Sequence, residues 1–265
     1  MAQPKQYPTL SRENTLAQLP AEYPTDAQDQ ISQILGTTPI NRLVVLDDDP
    51  TGTQTCHDIS VLTVWDIPTL TTEFQTNSPG FFILTNSRAL APTEAENLIR
   101  TICENVSAAA KSTGTNVDIV LRGDSTLRGH FPLEPDVAQS VFGPADALVL
   151  APFFFQGGRF TIDDVHYVAE GDKLVPAGAT QFAKDATFGY KSSSLRDYVL
   201  EKAPGRFSES QLCSVTIDEI RRGGPKSVCA KLLAAPAGGV VIVNAAAESD
   251  MHVFVAGLLL GRLDL

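Results

Sequence analysis

Residues 43–52 read Leu-Val-Val-Leu-Asp-Asp-Asp-Pro-Thr-Gly, a short apolar run followed by three adjacent carboxylates and a turn. A continuous apolar run of this length indicates a strand buried on both faces of a parallel sheet. Runs of the same kind recur further along the chain, at residues 59–64, 81–84, 117–121, 147–150, 212–216 and 240–243.

Helical patterns lie between these runs, at residues 26–35, 93–111, 133–141, 195–202, 226–233 and 250–262. In the second of them we expect Thr93 to cap the helix, because Glu96 follows three residues later. Strands that alternate with helices predict the α/β class, as a doubly wound, mostly parallel sheet with helices on both faces in three layers. Residues 152–190 break the rhythm and predict an irregular excursion, which could include a small antiparallel flap.

The composition excludes several classes of function. Of 265 residues, 43% are hydrophobic and the net charge is −11, which argues against a nucleic-acid or anionic-membrane partner. No run approaches the roughly 20 apolar residues of a membrane-spanning helix, and the N-terminus lacks the apolar centre of a signal peptide. The four cysteines form no CxxC pair and the histidines lack the spacing of a metal site. We therefore expect a cytoplasmic protein with reduced thiols and no metal ligands of its own.

The domain organisation follows from the same patterns. Residues 1–24 are polar and rich in proline, which predicts a flexible N-terminal arm. Residues 25–265 are expected to form one α/β domain. We find no internal repeat.

Polar residues follow the predicted strands where each strand ends. Ligands of open α/β sheets bind beyond the carboxyl ends of the strands, so these residues are the candidate site. They are Asp47, Asp48, Asp49, Thr51, Asn86, Ser87, Arg88, Arg122, Asp124, Ser125, Thr126, Arg128 and Arg159. Adjacent carboxylates repel one another unless cations or hydroxyl donors meet them, and arginines at a strand end suit the bidentate binding of a carboxylate or phosphate. The chemistry predicts a site for a small anionic ligand.

One family that fits the first loop is the haloacid-dehalogenase-like phosphatases. Their first motif, an apolar strand followed by Asp-x-Asp-x-Thr, resembles residues 44–51, with Asp47 as nucleophile and Asp49 as acid/base. Their late acidic motif, which holds magnesium, should offer two spaced aspartates after a strand. Here only Asp124 follows the strand, and no motif lysine is evident.

The chain more fully resembles the four-carbon acid sugar kinase family. The Asp-Asp-x-Thr-Gly motif of that family is matched at residues 48–52, and its Asp-Ser-Thr-Leu-Arg-Gly motif is matched in full at residues 124–129. An Ala-Pro…Gly-Arg-x-Thr segment follows at 151–161 and an Asn-Ala pair at 244–245. Order and spacing agree over residues 42–262.

The resemblance implies the N-terminal, sugar-acid-binding domain of a kinase that transfers phosphate from ATP to a terminal hydroxyl of an acid such as threonate or erythronate. In that mechanism Asp48, Asp49 or Asp124 accepts the proton of the hydroxyl, and the remaining residues of the candidate site bind the substrate.

ATP and Mg²⁺ are expected only with a C-terminal kinase domain, because the chain contains no Gly-x-x-x-x-Gly-Lys-[Ser/Thr] loop. We therefore expect neither to bind this chain alone. A non-catalytic sugar-acid-binding module remains an alternative, and a homo-oligomer remains open.

Overall fold

The structure is a computed structural model that describes residues 5–53 and 56–263. The chain divides into two compact units. The smaller unit contains residues 40–124 and 128–145, and the larger unit contains residues 1–39, 125–127 and 146–265.

The chain forms strands and helices in alternation. The strands are β1 Leu10–Ser11, β2 Arg42–Asp47, β3 Ser60–Leu62, β4 Gly80–Leu84, β5 Val117–Arg122, β6 Ala147–Leu150, β7 Arg159–Ile162, β8 Val165–Glu170, β9 Lys173–Pro176, β10 Leu212–Val215 and β11 Gly239–Val243. The helices are α1 Arg12–Ala17, α2 Ala27–Thr37, α3 Ile67–Phe74, α4 Pro92–Thr113, α5 Leu133–Phe142, α6 Leu195–Lys202, α7 Gly224–Leu233 and α8 Glu248–Leu263.

The smaller unit is built on a parallel sheet of four strands in the order β3-β4-β2-β5. Apolar side chains of its central strands pack against α3, α4 and α5, and the rings of Phe74 and Phe81 meet edge to face with centroids 5.3 Å apart. Fully buried Ile99 and Ile102 give α4 its core face. This core fixes the direction of β2, β4 and β5, whose carboxyl ends carry the polar loops.

Helix α4 begins earlier than the sequence indicated. Ala91, not Thr93, is the N-cap residue, and its backbone N–H donates to the Glu94 carboxylate at 3.2 Å. Pro92 occupies the first turn, where its missing N–H leaves no bond unmade. The Thr93–Glu96 pattern was a weaker start signal than the preceding proline.

The larger unit contains a parallel sheet in the order β10-β11-β6 and an antiparallel sheet in the order β1-β9-β8-β7. Helices α7 and α8 pack together, α2 packs on α8, and their apolar side chains share a core with the parallel sheet. The α/β class with parallel sheets and flanking helices is confirmed. The structure divides the parallel strands between two sheets, whereas one sheet was predicted. The sequence could not show this division, because a short apolar strand carries no mark of which neighbours it pairs with.

The predicted excursion at residues 152–190 contains an antiparallel meander of β7, β8 and β9. Asp163 and Asp164 form its first turn with positive φ angles of 51° and 63°. The side chain of Asn244 accepts from the Asp164 N–H at 2.7 Å and donates to its carboxylate at 2.8 Å. Asn244, part of a family motif in the sequence, therefore holds this turn.

The described residues 5–24, for which a flexible arm was predicted, contain a short strand and a helix. Strand β1 pairs with β9, and α1 follows it. Leu10, Leu16 and Leu19 pack against the core of the meander. Arg221 forms a bidentate ion pair with buried Asp250, at 2.8 and 2.9 Å, and also donates to the carbonyl of residue 20 at 2.7 Å. The sequence did not indicate this packing, because the leucines are scattered among prolines. Residues 25–265, predicted to form one domain, are divided between the two units.

No helix within the described residues is both long and apolar enough to cross a bilayer. Across residues 5–53 and 56–263, no group of three histidine, cysteine or acidic side chains has the arrangement of a metal site. The four cysteines are free thiols.

Candidate functional site

The residues that follow β2, β4 and β5 meet at one edge of the sheet in the smaller unit. The register places Asp47, the last residue of β2, beside Leu84 of β4 and Arg122 of β5. Parallel strands end at the same edge, so the loops that follow them share that edge. This part of the predicted convergence is observed, with Asp47, Asp48, Asp49, Thr51, Asn86, Ser87, Arg88, Arg122, Asp124 and Arg128 in this unit.

Asp48 and Arg88 form a bidentate ion pair at the site. The Arg88 guanidinium donates from Nε to one Asp48 carboxylate oxygen at 3.0 Å and from a terminal nitrogen to the other at 2.6 Å. Arg88 also lies 3.2 Å from Asp49. Asp48 is 4% exposed, and its burial raises its pKa although the two Arg88 hydrogen bonds oppose this. Arg88, predicted to bind substrate, is therefore occupied by the protein's own carboxylates.

Asp47 lies in a different environment although it adjoins Asp48. It is 1% exposed, and its carboxylate is 3.5 Å from a terminal nitrogen of Arg122. Burial raises the pKa of Asp47 to about 6, against the opposing attraction of Arg122. A Cβ at Gly52 would lie 1.9 Å from the Asp47 carboxylate, so only glycine fits over this group. Asp47 is thus a buried acid that titrates near neutral pH.

Asp49 is the most exposed of the three aspartates. Its carboxylate accepts from the backbone N–H of Thr51 at 2.8 Å and from the Thr51 hydroxyl. The Thr51 hydroxyl holds the pKa of Asp49 below its usual value. In this structure Thr51, predicted to bind substrate, fixes the turn. An ionised carboxylate with a lowered pKa is a weak proton acceptor at neutral pH.

Arg122 contacts the aspartates less closely than Arg88 does. Its terminal nitrogen lies 3.5 Å from Asp47 and 3.9 Å from Asp48, and its side chain is 26% exposed. Arg128 pairs with Asp124 through Nε at 2.6 Å. The sequence placed Arg122, Asp124 and Arg128 in one loop; in the structure Arg122 is the last residue of β5, and only Asp124 and Arg128 lie in the loop that follows. The sequence did not show that Arg128 and Asp124 pair.

Ser87 connects the loop after β4 to a residue that the sequence did not point to. Its hydroxyl donates to the Glu134 carboxylate at 2.5 Å, and its carbonyl lies 3.0 Å from Nε2 of buried His130. Burial raises the pKa of Glu134 to about 7, although the Ser87 hydroxyl opposes this. Ser87 itself is fully buried. Glu134 looked like an ordinary acidic residue in the first turn of a helix, and no sequence signal linked it to Ser87.

Asn86 and Thr85 complete the loop after β4. Asn86 is exposed in the left-handed backbone region, with φ 52°, so its side chain is accessible. Thr85, which was not predicted, donates its N–H and its hydroxyl to the Asp47 carbonyl at 2.8 and 3.0 Å. Thr85 therefore ties the ends of β2 and β4 together.

The remaining predicted residues, Ser125, Thr126 and Arg159, belong to the larger unit. Thr126 is fully buried. Arg159 donates to the carbonyl of Gly157, and its guanidinium lies 5.7 Å from the centre of the Phe182 ring. Arg159 lines a cavity of about 590 Å³ beside the meander.

Residues 43–264 match the model of a family described as the sugar-binding N-terminal domain. A search of curated proteins found no match.

Solved structures with the same fold include a domain of unknown function (DUF1537) from Bordetella bronchiseptica, with bound citrate and as a domain-swapped dimer. It is 24% identical with a TM-score of 0.60, and the match covers 82% of this chain and 50% of that one. A Haemophilus influenzae protein of the DUF1537 family is 16% identical with a TM-score of 0.55, over 82% and 56% of the two chains.

A Salmonella typhimurium LT2 protein provisionally described as a tRNA synthase is 15% identical with a TM-score of 0.57, over 84% and 55%. At these identities the likeness concerns the fold alone. This chain spans about half the length of the solved chains that it matches.

Proposed function

The chain belongs to the family described as the sugar-binding N-terminal domain, which its residues 43–264 match, and we propose from this that it binds a short sugar acid at the carboxyl ends of β2, β4 and β5. The supporting observation is the position of Arg122. Its contacts to Asp47 and Asp48 are long, at 3.5 and 3.9 Å, and a quarter of its side chain is exposed. A substrate carboxylate could replace these contacts with a bidentate pair.

We assign the other charged groups different roles. Arg88 is held by Asp48, so it stabilises the loop rather than the ligand. Arg128, paired with Asp124 at 2.6 Å, is a second candidate for the substrate carboxylate if this pair exchanges. Exposed Asn86 is suited to a substrate hydroxyl. The citrate bound in the Bordetella bronchiseptica structure is a small polycarboxylate, which supports an anionic ligand for this fold.

The phosphate-transfer reaction is proposed for a complete protein only. Because the chain spans about half of each solved chain that it matches, we expect ATP and Mg²⁺ to bind a further nucleotide-binding domain. Within this chain, Asp47 becomes the favoured proton acceptor, ahead of Asp48, Asp49 and Asp124. A pKa of about 6 suits a base that works near neutral pH, and its burial requires the segment around Gly52 to move aside.

Calorimetric titration of this chain with erythronate and threonate tests the binding proposal. Arg122→Met should weaken affinity by about tenfold or more, because one charged hydrogen bond contributes about 1.5–3 kcal/mol. The matched control is Arg100→Met on α4, whose guanidinium forms an exposed pair with Glu96, and it should bind like the wild type. Equal affinity in all three proteins would refute the assignment of Arg122.

A phosphatase assay of the same chain tests the haloacid-dehalogenase alternative. In that reaction Asp49 must donate a proton, yet its lowered pKa keeps it ionised. We expect no release of phosphate from small phosphate esters in Mg²⁺. Release that Asp47→Asn abolishes would replace the kinase proposal with the phosphatase.

A further inference from the structure

Three consecutive backbone carbonyls of the segment Ser125–Leu127 each accept a hydrogen bond from a different side chain of the larger unit. Nε2 of His166 lies 2.7 Å from the first carbonyl. The hydroxyl of Tyr190 donates to the second at 2.7 Å, and the hydroxyl of Tyr198 donates to the third at 3.0 Å. These three side chains, here named the carbonyl clamp, belong to no motif identified in the sequence.

The clamp is buried, and its two tyrosine rings are in contact. The exposed fractions of His166, Tyr190 and Tyr198 are 0%, 4% and 2%. The two tyrosine rings meet edge to face with centroids 5.5 Å apart. Two aromatic rings in this arrangement restrict each other's rotation, so both hydroxyls are held in place.

The orientation of the His166 ring is also fixed. A carbonyl oxygen can only accept, so Nε2 carries the proton that faces residue 125. In the neutral ring Nδ1 then accepts from the hydroxyl of fully buried Thr161, 3.0 Å away. The carbonyl of residue 125 thus selects the tautomer of His166, and the Thr161 hydroxyl, which can donate, is compatible with it.

The segment needs this support because its backbone is unusual. Leu127 has a φ of 67°, in the left-handed region that a branched side chain rarely adopts. Thr126 and Leu127 are 0% and 6% exposed, so water cannot readily replace a lost partner of their carbonyls. Buried carbonyls without partners are strongly unfavourable, and the clamp removes that penalty in the observed conformation.

We propose that His166, Tyr190 and Tyr198 are positioning residues for Asp124 and Arg128, the charged pair on either side of the clamped segment in the chain. Both residues are joined covalently to Ser125–Leu127, so fixing this backbone fixes where their side chains begin. The consequence for ligand binding rests on the proposed function above. The clamp therefore determines whether Arg128 and Asp124 are presented to a sugar acid in one arrangement or in many.

Removal of the tyrosine hydroxyls tests the clamp without any ligand. Hydrogen exchange, followed by mass spectrometry of peptides that cover residues 124–129, should be about tenfold faster in the double variant Tyr190→Phe/Tyr198→Phe. The matched control is Tyr167→Phe, which removes a buried tyrosine hydroxyl from β8 outside the clamp and should leave exchange there unchanged. Equal exchange in the double variant and the wild type would overturn the proposal.

Substitution of His166 separates positioning from packing. His166→Gln retains an N–H donor for the carbonyl of residue 125, whereas His166→Leu fills similar space without one. We expect slow exchange in the glutamine variant and fast exchange in the leucine variant. Equally fast exchange in both would show that the ring acts only by packing and would overturn its part in the clamp.

Erythronate affinity provides the second measurement. The double tyrosine variant should bind about fivefold to tenfold more weakly than the wild type, at a temperature where both are fully folded. Unchanged affinity together with faster exchange would refute the positioning role. A wild-type chain that binds no sugar acid overturns the proposed function, and hydrogen exchange then still decides whether the clamp holds the segment.

Discussion

Replacement of Asp47 by asparagine should stabilise the smaller unit at pH 8. Burial raises the pKa of this carboxyl from 3.8 to about 6. Each pKa unit corresponds to about 1.4 kcal/mol, so keeping Asp47 ionised at pH 8 costs the folded unit about 3 kcal/mol. Asparagine has nearly the same shape as protonated aspartate and carries no charge. The variant should gain up to this amount.

The sign of the effect depends on pH. Between pH 3.8 and about 6 the folded chain holds a proton on Asp47 that the unfolded chain has lost, so wild-type stability falls as the pH rises through this window. Below pH 3.8 both states are protonated, and the advantage of Asp47→Asn should vanish.

Urea unfolding at pH 4 and pH 8, followed by fluorescence, measures this difference. Trp65, the only tryptophan of the chain, packs against the core of the smaller unit and reports its unfolding. The control is Asp66→Asn, because the Thr69 backbone N–H holds the pKa of Asp66 below its usual value, so this variant should gain nothing at pH 8. An Asp47→Asn variant no more stable than wild type at pH 8, or equally stabilised at both pH values, would refute the reasoning.

Four further outcomes follow from the same contacts. Arg88→Met leaves Asp48 buried without its bidentate partner and should destabilise the smaller unit by about 3 kcal/mol in the same urea assay. A loss of stability below about 1 kcal/mol, the value of an exposed ion pair, would contradict this. Gly52→Ala places a Cβ against the Asp47 carboxylate and should cost about 1–3 kcal/mol, and a thermal midpoint equal to wild type would contradict the close approach. Asp163→Gly, at an exposed position with φ 51°, should raise the thermal midpoint of the larger unit by relieving up to about 1 kcal/mol of strain; a lowered midpoint would contradict this. Erythronate should bind more tightly at pH 6 than at pH 8, because protonation of Asp47 removes a negative charge from the site, and titration at the two values checks the direction.

The sequence indicated the class of the fold and the loops of the site because both depend on local patterns. Apolar runs such as residues 43–46 mark strands, and the polar residues that follow them mark the ligand edge. Assignment of strands to sheets could not be predicted in this way. The strand at 240–243 pairs with the strand at 147–150 on one side and with β10 on the other, in a second sheet, and a buried strand has the same composition in either sheet.

The partners of the charged residues were also beyond local patterns. Arg88 lies 40 residues from Asp48, and Glu134 lies 47 residues from Ser87. Such pairs form only when the sheet brings its loops together. Ten of the thirteen predicted site residues belong to the smaller unit. The sequence did not show that Arg88 is bound by the protein's own aspartate while Arg122 keeps longer contacts.

The order of the N-terminal segment depended on tertiary packing in the same way. Leu10, Leu16 and Leu19 show no strong period, yet they cover the core of the meander. Polar and proline-rich composition was a poor guide here, because a few well-placed apolar residues were enough to anchor the segment.

Recognition of a substrate carboxylate is the central claim, and a comparison of two four-carbon ligands tests it most directly. Erythronate and erythritol share three hydroxyl groups, but erythronate carries a carboxylate where erythritol has a fourth hydroxyl. Calorimetric titration of the wild-type chain should show saturable binding of erythronate at one site per chain and no measurable heat with erythritol. Equal binding of both ligands, or binding of neither, would contradict the claim.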